Sequence, residues 1–231
     1  MLTEPTGARE TKKLESRAAV LNAAATLFSR HGFAGVAIAD IAAISGIRKP
    51  NLLYHFESKE ELWKDTVDWV FDQVDQFFAA RRTAFADLIS FNRDERWSAF
   101  RIYVDAYYEA CRRFPAYVLI PMIEGVAPSW RTDWIAERHL KRHVQSFDRF
   151  ARGLIAEGLL PEVEPLHLQN MLTGGVQLSL GLAPLWAAAL DVETHSAEFL
   201  DAYSRTVFKL LETMHEQKPK SKPSKSTLAI R

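Results

Sequence analysis

A chain of 231 residues with 48% apolar and 25% charged side chains has the make-up of a folded soluble protein of one large or two small domains. Its 29 basic residues balance 29 acidic ones, so no overall basicity announces nucleic acid, and a single cysteine, Cys111, excludes an internal disulfide and every cysteine-rich zinc motif. The opening MLTEPTGARETKK lacks an apolar run and reads as no signal peptide, which with the lone cysteine points to a reducing cytoplasm.

Residues 1–10, polar and containing Pro5 and Gly7, read as a mobile arm. A first helix is expected from Thr11 to His31 on Leu14, Ala18, Leu21, Ala25 and Phe28, with Gly32 ending it. Ile38, Ile41, Ala42 and Ile44 give a short second helix an apolar side. Its expected cap is Gly35, and Asp40 in its early turns suits the helix dipole. Ser45-Gly46-Ile47 supplies a turn, since glycine reaches backbone angles that other residues avoid. A third helix should begin near Pro50, whose fixed φ fits a first helical turn. Leu52 and Phe56 would face inward, leaving Asn51, Tyr54 and His55 outward. Two short helices at a steep angle, the second presenting polar groups beside basic ones, make a helix-turn-helix of the kind that enters a DNA major groove. From Arg9 to Lys49 seven basic residues stand against three acidic ones, a local excess that fits residues 11–57 as a DNA-binding domain.

Ser58-Lys59-Glu60-Glu61 is a capping box, in which Ser58 caps the next helix and Glu61 reaches back to the Ser58 N–H. That fourth helix is expected to run to about Ala80 on Leu62, Thr66, Trp69, Val70, Val74 and Phe77. After a polar break at Ser90 to Glu95, a fifth helix carries Trp97, Phe100, Val104, Tyr107 and Cys111. Pro115, Pro121 and Pro128 punctuate a shorter, irregular sixth region. A seventh helix is expected over 129–158 on Leu140, Val144, Phe147, Ala151 and Leu154, an eighth over 166–190, and a ninth over 194–215 on Phe199, Tyr203, Val207, Leu210 and Met214. Residues 217–231, rich in lysine and proline, read as a disordered basic tail. No strand alternation and no repeat is found. The fold class is all-α, with about nine helices and a second domain over 58–216.

The eighth helix carries no charged residue from Gln169 to Leu190, as long as a membrane span of ~20 residues. Gly174, Gly175, Gln177, Ser179, Gly181 and Pro184 argue instead for a core helix. One of its faces would meet a second copy across a two-fold axis, with the glycines allowing close approach. The ninth helix would complete a four-helix dimer interface, and no membrane is involved. The fifth to eighth helices also hold an unusual aromatic load mixed with polar groups. Such stripes are most often core, but buried polar groups need partners and a ligand is one. Tyr107, Glu124, Trp134, Thr173 and Gln177 are the candidate effector contacts. His139 and His143 lie four apart on one face, yet Lys141 and Arg142 between them are poor company for a cation. No metal and no cofactor are expected.

Arg17, Leu21, Ala24, Leu27-Phe28, Gly32-Phe33, Asp40-Ile41-Ala42, Gly46-Ile47, Lys49, Leu52, Phe56 and Ser58-Lys59-Glu60-Glu61-Leu62 resemble, in order and spacing, the tetracycline-repressor family of bacterial transcription regulators. The resemblance implies an all-α homodimer with a three-helix DNA-binding domain and a larger helical domain that binds a small effector. More weakly, Asn51 to Tyr54, Arg113-Phe114-Pro115, Met122 to Gly125, Glu164 to Leu168 and Leu182-Ala183-Pro184 look like the subgroup that includes the regulator of pyrimidine utilisation. That implies a compact polar effector, although Thr173 stands where that regulator has a pocket tryptophan.

The family commonly has Ser or Thr where this chain has Val36, Ala37 and Arg48, so some hydroxyl caps and phosphate contacts must be replaced. Arg48 and Lys49 open the third helix without a capping acceptor, and a DNA phosphate would relieve both faults; Arg48 is also able to read a guanine. Asn51 is placed to pair with adenine or to hold a local turn, and Leu53 to touch a thymine methyl or simply pack. Tyr54 and His55 point toward phosphate or pack on the first helix. Lys59 matches a usual phosphate contact of the family. Two other classes compete: a DNA binder that senses nothing, and a helical enzyme. No phosphate loop, nucleophile elbow or HExxH motif supports the latter.

Overall fold

The structure, a computed structural model, describes residues 6–81 and 93–216. Residues 90–92 of the expected break at Ser90 to Glu95, the first half of the N-terminal arm and the basic tail from residue 217 lie outside the described residues, while residues 93–95 already belong to a helix. Helix α1 spans Thr6–His31, α2 Ile38–Ser45, α3 Lys49–His55 and α4 Lys59–Ala79. Helix α5 spans Arg93–Arg113 and α6 Pro115–Glu124. Helix α7 runs as Trp130–Ile135, a π turn Ala136–Leu140, and Lys141–Ala156. Helix α8 spans Pro165–Gly181, α9 Ala183–Leu190 and α10 Ala197–Glu216, and no strand occurs among the described residues.

The N-terminal helical unit is built on α1. Val20, Leu21, Ala24 and Phe28 are buried against Ile41, Leu52 and Phe56 of the next two helices and against Leu62 and Trp63 of α4. The helix starts five residues before the expected Thr11, and its first turns project beyond this core, which leaves Leu14 and Ala18 exposed rather than packed. Helix α2 is capped at Ala37 and not at Gly35. The Asp40 carboxylate accepts the Ala37 N–H at 3.0 Å, half of a capping box made without a side-chain acceptor at the cap itself. Ile44 is exposed because the buried face of so short a helix centres on Ile41 and Ala42. Gly46 ends α2 with φ of 69°, the left-handed turn that the sequence requires there.

Ser58 caps α4 by accepting the Glu61 N–H at 3.1 Å, and the Glu61 side chain makes no return bond among the described residues. Ser58→Ala should therefore cost about 1 kcal/mol, read as a lower urea midpoint at unchanged m-value. A wild-type midpoint would show that the cap bond is not made. Helix α4 buries Leu62, Trp63, Thr66, Val67, Val70, Phe71, Val74 and Phe77, a broader face than the expected stripe, because it contributes to two hydrophobic clusters.

Phe100, Val104, Tyr108 and Cys111 of α5, Phe147, Ala151 and Leu154 of α7, Leu172, Val176 and Leu180 of α8 and Phe208 of α10 form the second core. The π turn shifts the register of α7, so His139 is buried where Leu140 was expected and Leu140 turns outward. The eighth helix is not continuous. Pro184 sits in the first turn of α9 and the chain bends 70° at Leu182, separating α8 from α9. No single helix among the described residues is long and apolar enough to cross a membrane; only this bent pair passes by length and composition. Two of the three glycines of α8 make room for side chains of the chain itself. A Cβ on Gly175 would lie 1.9 Å from the Tyr203 hydroxyl, and one on Gly181 3.0 Å from Met122, while Gly174 faces open space.

Candidate nucleic-acid interface and effector cavity

Helix α3 turns Leu52 inward and offers the rest to solvent. Arg48, Lys49, Asn51, Leu53 and Tyr54 are all exposed, Tyr54 at 81%. Arg48 is the N-cap residue and makes no capping bond, and Pro50 in the first turn has no N–H to give. Neither Arg48 nor Lys49 makes an ion pair or side-chain hydrogen bond among the described residues, and both stand at a helix start without a side-chain cap, where the dipole favours an anion. The structure brings the six candidates from Arg48 to His55 onto one short element. Lys59 belongs elsewhere: its Nζ lies 4.4 Å from the centroid of the Phe33 ring, held against the end of α1. His55 is half-buried, between Tyr54 and Phe56. The end of α3 is braced by Arg17, which pairs with Asp65 of α4 at 2.8 Å and lies over the Phe56 ring.

A cavity of about 870 Å³ opens between α4 and α7 and reaches α5 and α8. Rings of Phe78, Tyr103, Tyr107, Tyr117, Phe147 and Phe150 wall it. Among the expected contacts, Tyr107 and Thr173 line it, and Gln177 donates to the Tyr107 hydroxyl at 3.0 Å from behind. Burial holds the Tyr107 hydroxyl well above the ordinary tyrosine pKa, so it stays protonated. Sequence reasoning missed Asp72 and Asp75 of α4 and Gln169 of α8. It weighed His143 as half of a metal pair and, more readily, as a solvated or pocket-lining residue, and Arg142 only as company for that pair. The available signal was the matching period of acids on α4 (Asp68, Asp72, Asp75) and bases on α7 (Arg138, His139, Arg142, His143). Arg138 meets Asp68 at 3.2 Å, His139 Nε2 lies 2.9 Å from the same carboxylate, and Arg142 pairs with Asp75. Burial depresses the pKa of both histidines despite these acids, so both are neutral at pH 7. No group of three or more metal-ligating side chains occurs among the described residues.

Glu124 and Trp134 do not reach the cavity; they sit at the joint between the two halves. The buried Glu124 carboxylate accepts the Phe33 N–H at 2.7 Å and Arg131 Nε at 2.5 Å. Trp134 packs edge-on against Trp63 at 5.6 Å and against His139 at 5.3 Å. Gly32, with φ of 64°, lets the chain turn there, and a Cβ on it would meet Ile123 at 2.9 Å. Their polarity and aromaticity suited a pocket equally well, and only the docking of α1 on α6 and α7 gives them this other duty.

Residues 20–66 match the family model described as bacterial regulatory proteins, tetR family. The HTH-type transcriptional regulator RutR of Escherichia coli K12 is 29% identical over 182 residues, covering 78% of this chain and 80% of that protein. IcaR of Staphylococcus epidermidis, a negative regulator of the biofilm operon icaADBC, is 30% identical over 154 residues, 64% of this chain and 70% of that one. Among solved structures, the ketosteroid regulator KstR2 of Mycobacterium tuberculosis superposes with a TM-score of 0.57 at 19% identity, covering 84% and 92% of the two chains. FadR of Bacillus subtilis, in complex with stearoyl-CoA, gives 0.55 at 11%, covering 84% and 96%. Those two likenesses show the fold. With an N-terminal helix-turn-helix on an all-helical core, the chain belongs to the tetR family of bacterial transcription regulators.

Proposed function

We propose that the protein is a homodimeric repressor that two copies of α3 anchor to a palindromic operator, in major grooves about 34–36 Å apart, and that a small molecule in the cavity releases it. The observation that carries this reading is that one helix serves both ends. The first half of α4 packs on the DNA-binding core through Trp63 and Val67, and its second half, from Asp72 to Ala79, walls the cavity. A ligand that favours one position of α4 changes the spacing of the two reading helices, and the DNA-competent state loses population. A cavity of about 870 Å³ falls within the ~300–1,000 Å³ range of small-molecule sites, which counts against a regulator that senses nothing.

The dimer reading rests on exposed apolar side chains along the C-terminal helices: Met171 and Leu178 of α8, Leu182, Leu185 and Leu190 at α9, and Leu210 of α10. Large apolar side chains gathered on one region mark an interface, and a second copy is the partner a two-fold axis supplies. Repression is inferred by likeness to IcaR, a negative regulator, and the bound stearoyl-CoA of FadR supports an effector in this fold. The test pairs light scattering with operator binding by fluorescence anisotropy, using promoter fragments that the protein protects. A dimer that binds DNA and leaves it when a metabolite raises the Tm is expected. A monomer at micromolar concentration, or DNA binding indifferent to every stabilising ligand, would overturn the corresponding part.

A further inference from the structure

We propose that the cavity between α4 and α7 takes a neutral or cationic compound of more than one aromatic ring that carries an N–H donor, and turns away carboxylates and phosphates. This rests on the effector reading above and gives it a ligand class. Three observations lead to it.

The first is shape. Six aromatic side chains wall the cavity, Phe78 and Tyr103 stacked with centroids 5.9 Å apart, and about 870 Å³ is more than a single-ring metabolite fills. Flat walls of this kind bind flat ligands by offset and edge-to-face contacts, and ring faces attract cations.

The second is charge. The described residues bring Asp72, Asp75, Arg142 and His143 to the cavity. Arg142 is already engaged by Asp75, and His143 is neutral because burial lowers its pKa. Asp72, exposed at the cavity, makes no ion pair among the described residues, and Arg138, the cation that feels its charge, is paired with Asp68, so the fixed charge of the wall is negative. An anionic ligand would have to pull Arg142 from Asp75 and lie near Asp72, whereas a cation meets the Asp72 carboxylate.

The third is an unmet hydrogen bond. Gln169 lines the cavity, yet its Oε1 is shut off from solvent and accepts no hydrogen bond among the described residues. A buried acceptor without a donor is a cost borne by the empty protein. Rotation of the side chain toward a ligand N–H removes that cost. The empty state is thereby penalised and the filled state is not, which is what an effector needs if it is to shift an equilibrium.

The experiment uses the full chain without DNA and a matched pair of probes on one ring system, 9-aminoacridine and acridine-9-carboxylate, with uracil as a compact polar arm. Titration calorimetry should give one site per chain for the amine and an affinity at least tenfold above that of the carboxylate or uracil. Asp72→Asn should narrow the gap between the two acridines. Gln169→Leu should weaken the amine by about tenfold while raising the Tm of the empty protein, since it removes the unmet acceptor and keeps the bulk. A lowered Tm in Gln169→Leu would make that side chain structural and overturn its role. Tighter binding of the carboxylate or of uracil would overturn the ligand class, and if that ligand also released DNA the effector reading would stand. Failure of all three probes to bind folded protein would overturn the class. An operator complex indifferent to a bound acridine would instead strike the effector reading.

Discussion

Glu124→Ala is expected to lower the unfolding free energy by about 3 kcal/mol, the lower end of the ~3–5 kcal/mol found when one partner of a buried ion pair is removed. The carboxylate is the acceptor for two donors, the Phe33 N–H at 2.7 Å and Arg131 Nε at 2.5 Å, and the Arg131 guanidinium also lies over the Phe33 and Trp130 rings. Its side chain is 4% exposed and that of Arg131 21%, so Arg131 regains some water when the acid is lost, which is why the lower end applies. Glu124→Gln keeps an acceptor for Phe33 and should cost roughly half as much. Urea unfolding followed by circular dichroism measures both. A loss below 1 kcal/mol in the alanine variant would mean that the joint is held by Trp63, Trp130 and Trp134 and not by the acid. The same variant carries a functional consequence. The bond joins the end of α1 to α6 and α7, so loosening it should weaken the link between ligand and DNA while the cavity, lined by other residues, still fills.

Lys49→Ala should weaken DNA binding on every sequence alike and flatten its salt dependence. Each phosphate contact contributes about 0.9 to the slope of log K against log salt, so a dimer losing one contact per copy should lose roughly 2 in slope. Lys49 is exposed, at the uncapped start of α3, with no hydrogen bond or ion pair among the described residues. Its charge is available to DNA at no cost to the fold, and the Tm of the free protein should be unchanged. Lys59 is the internal contrast. Its ammonium is tethered over Phe33, so Lys59→Ala should reduce stability by about 0.5–1 kcal/mol as well as any DNA contact it makes. Anisotropy titrations between 50 and 200 mM salt on operator and on random duplex separate the two residues. An unchanged slope for Lys49→Ala would remove it from the phosphate contacts.

What was readable in the sequence was what depends on neighbours along the chain. The Gly46 turn, the Ser58 cap, the inward Leu52 and Phe56 and the exposed start of α3 follow from residues within a few positions of each other. What was not readable depends on contacts across the fold. Glu124 and Trp134 have the chemistry of pocket residues, and only the seat of α1 on the larger domain makes them a joint. An apolar run from Gln169 to Leu190 shows a helix but hides its bend, since helix-period reasoning passes through Pro184 when the proline sits in a first turn. Gly175 looked like an opening for a partner and is filled by Tyr203 of the same chain. Tyr107 and Thr173, singled out as polar groups on otherwise apolar stripes, do line the cavity, while Gln177 reaches it only through the Tyr107 hydroxyl. Asp72 and Gln169 were passed over because each also suits a solvated face.

The π turn at Ala136–Leu140 also bears on how the length of this chain can drift. Such a turn holds one residue more than the helix needs, while the segments before and after it keep their faces. A single-residue deletion elsewhere in α7 would swing everything downstream by ~100°, carrying Phe147, Ala151 and Leu154 off the core. Within the π turn the same deletion closes the bulge into ordinary helix and leaves those three residues where they are. The helix that frames one wall of the cavity therefore carries a slack of one residue, placed in the turn that holds His139 against Asp68 of α4.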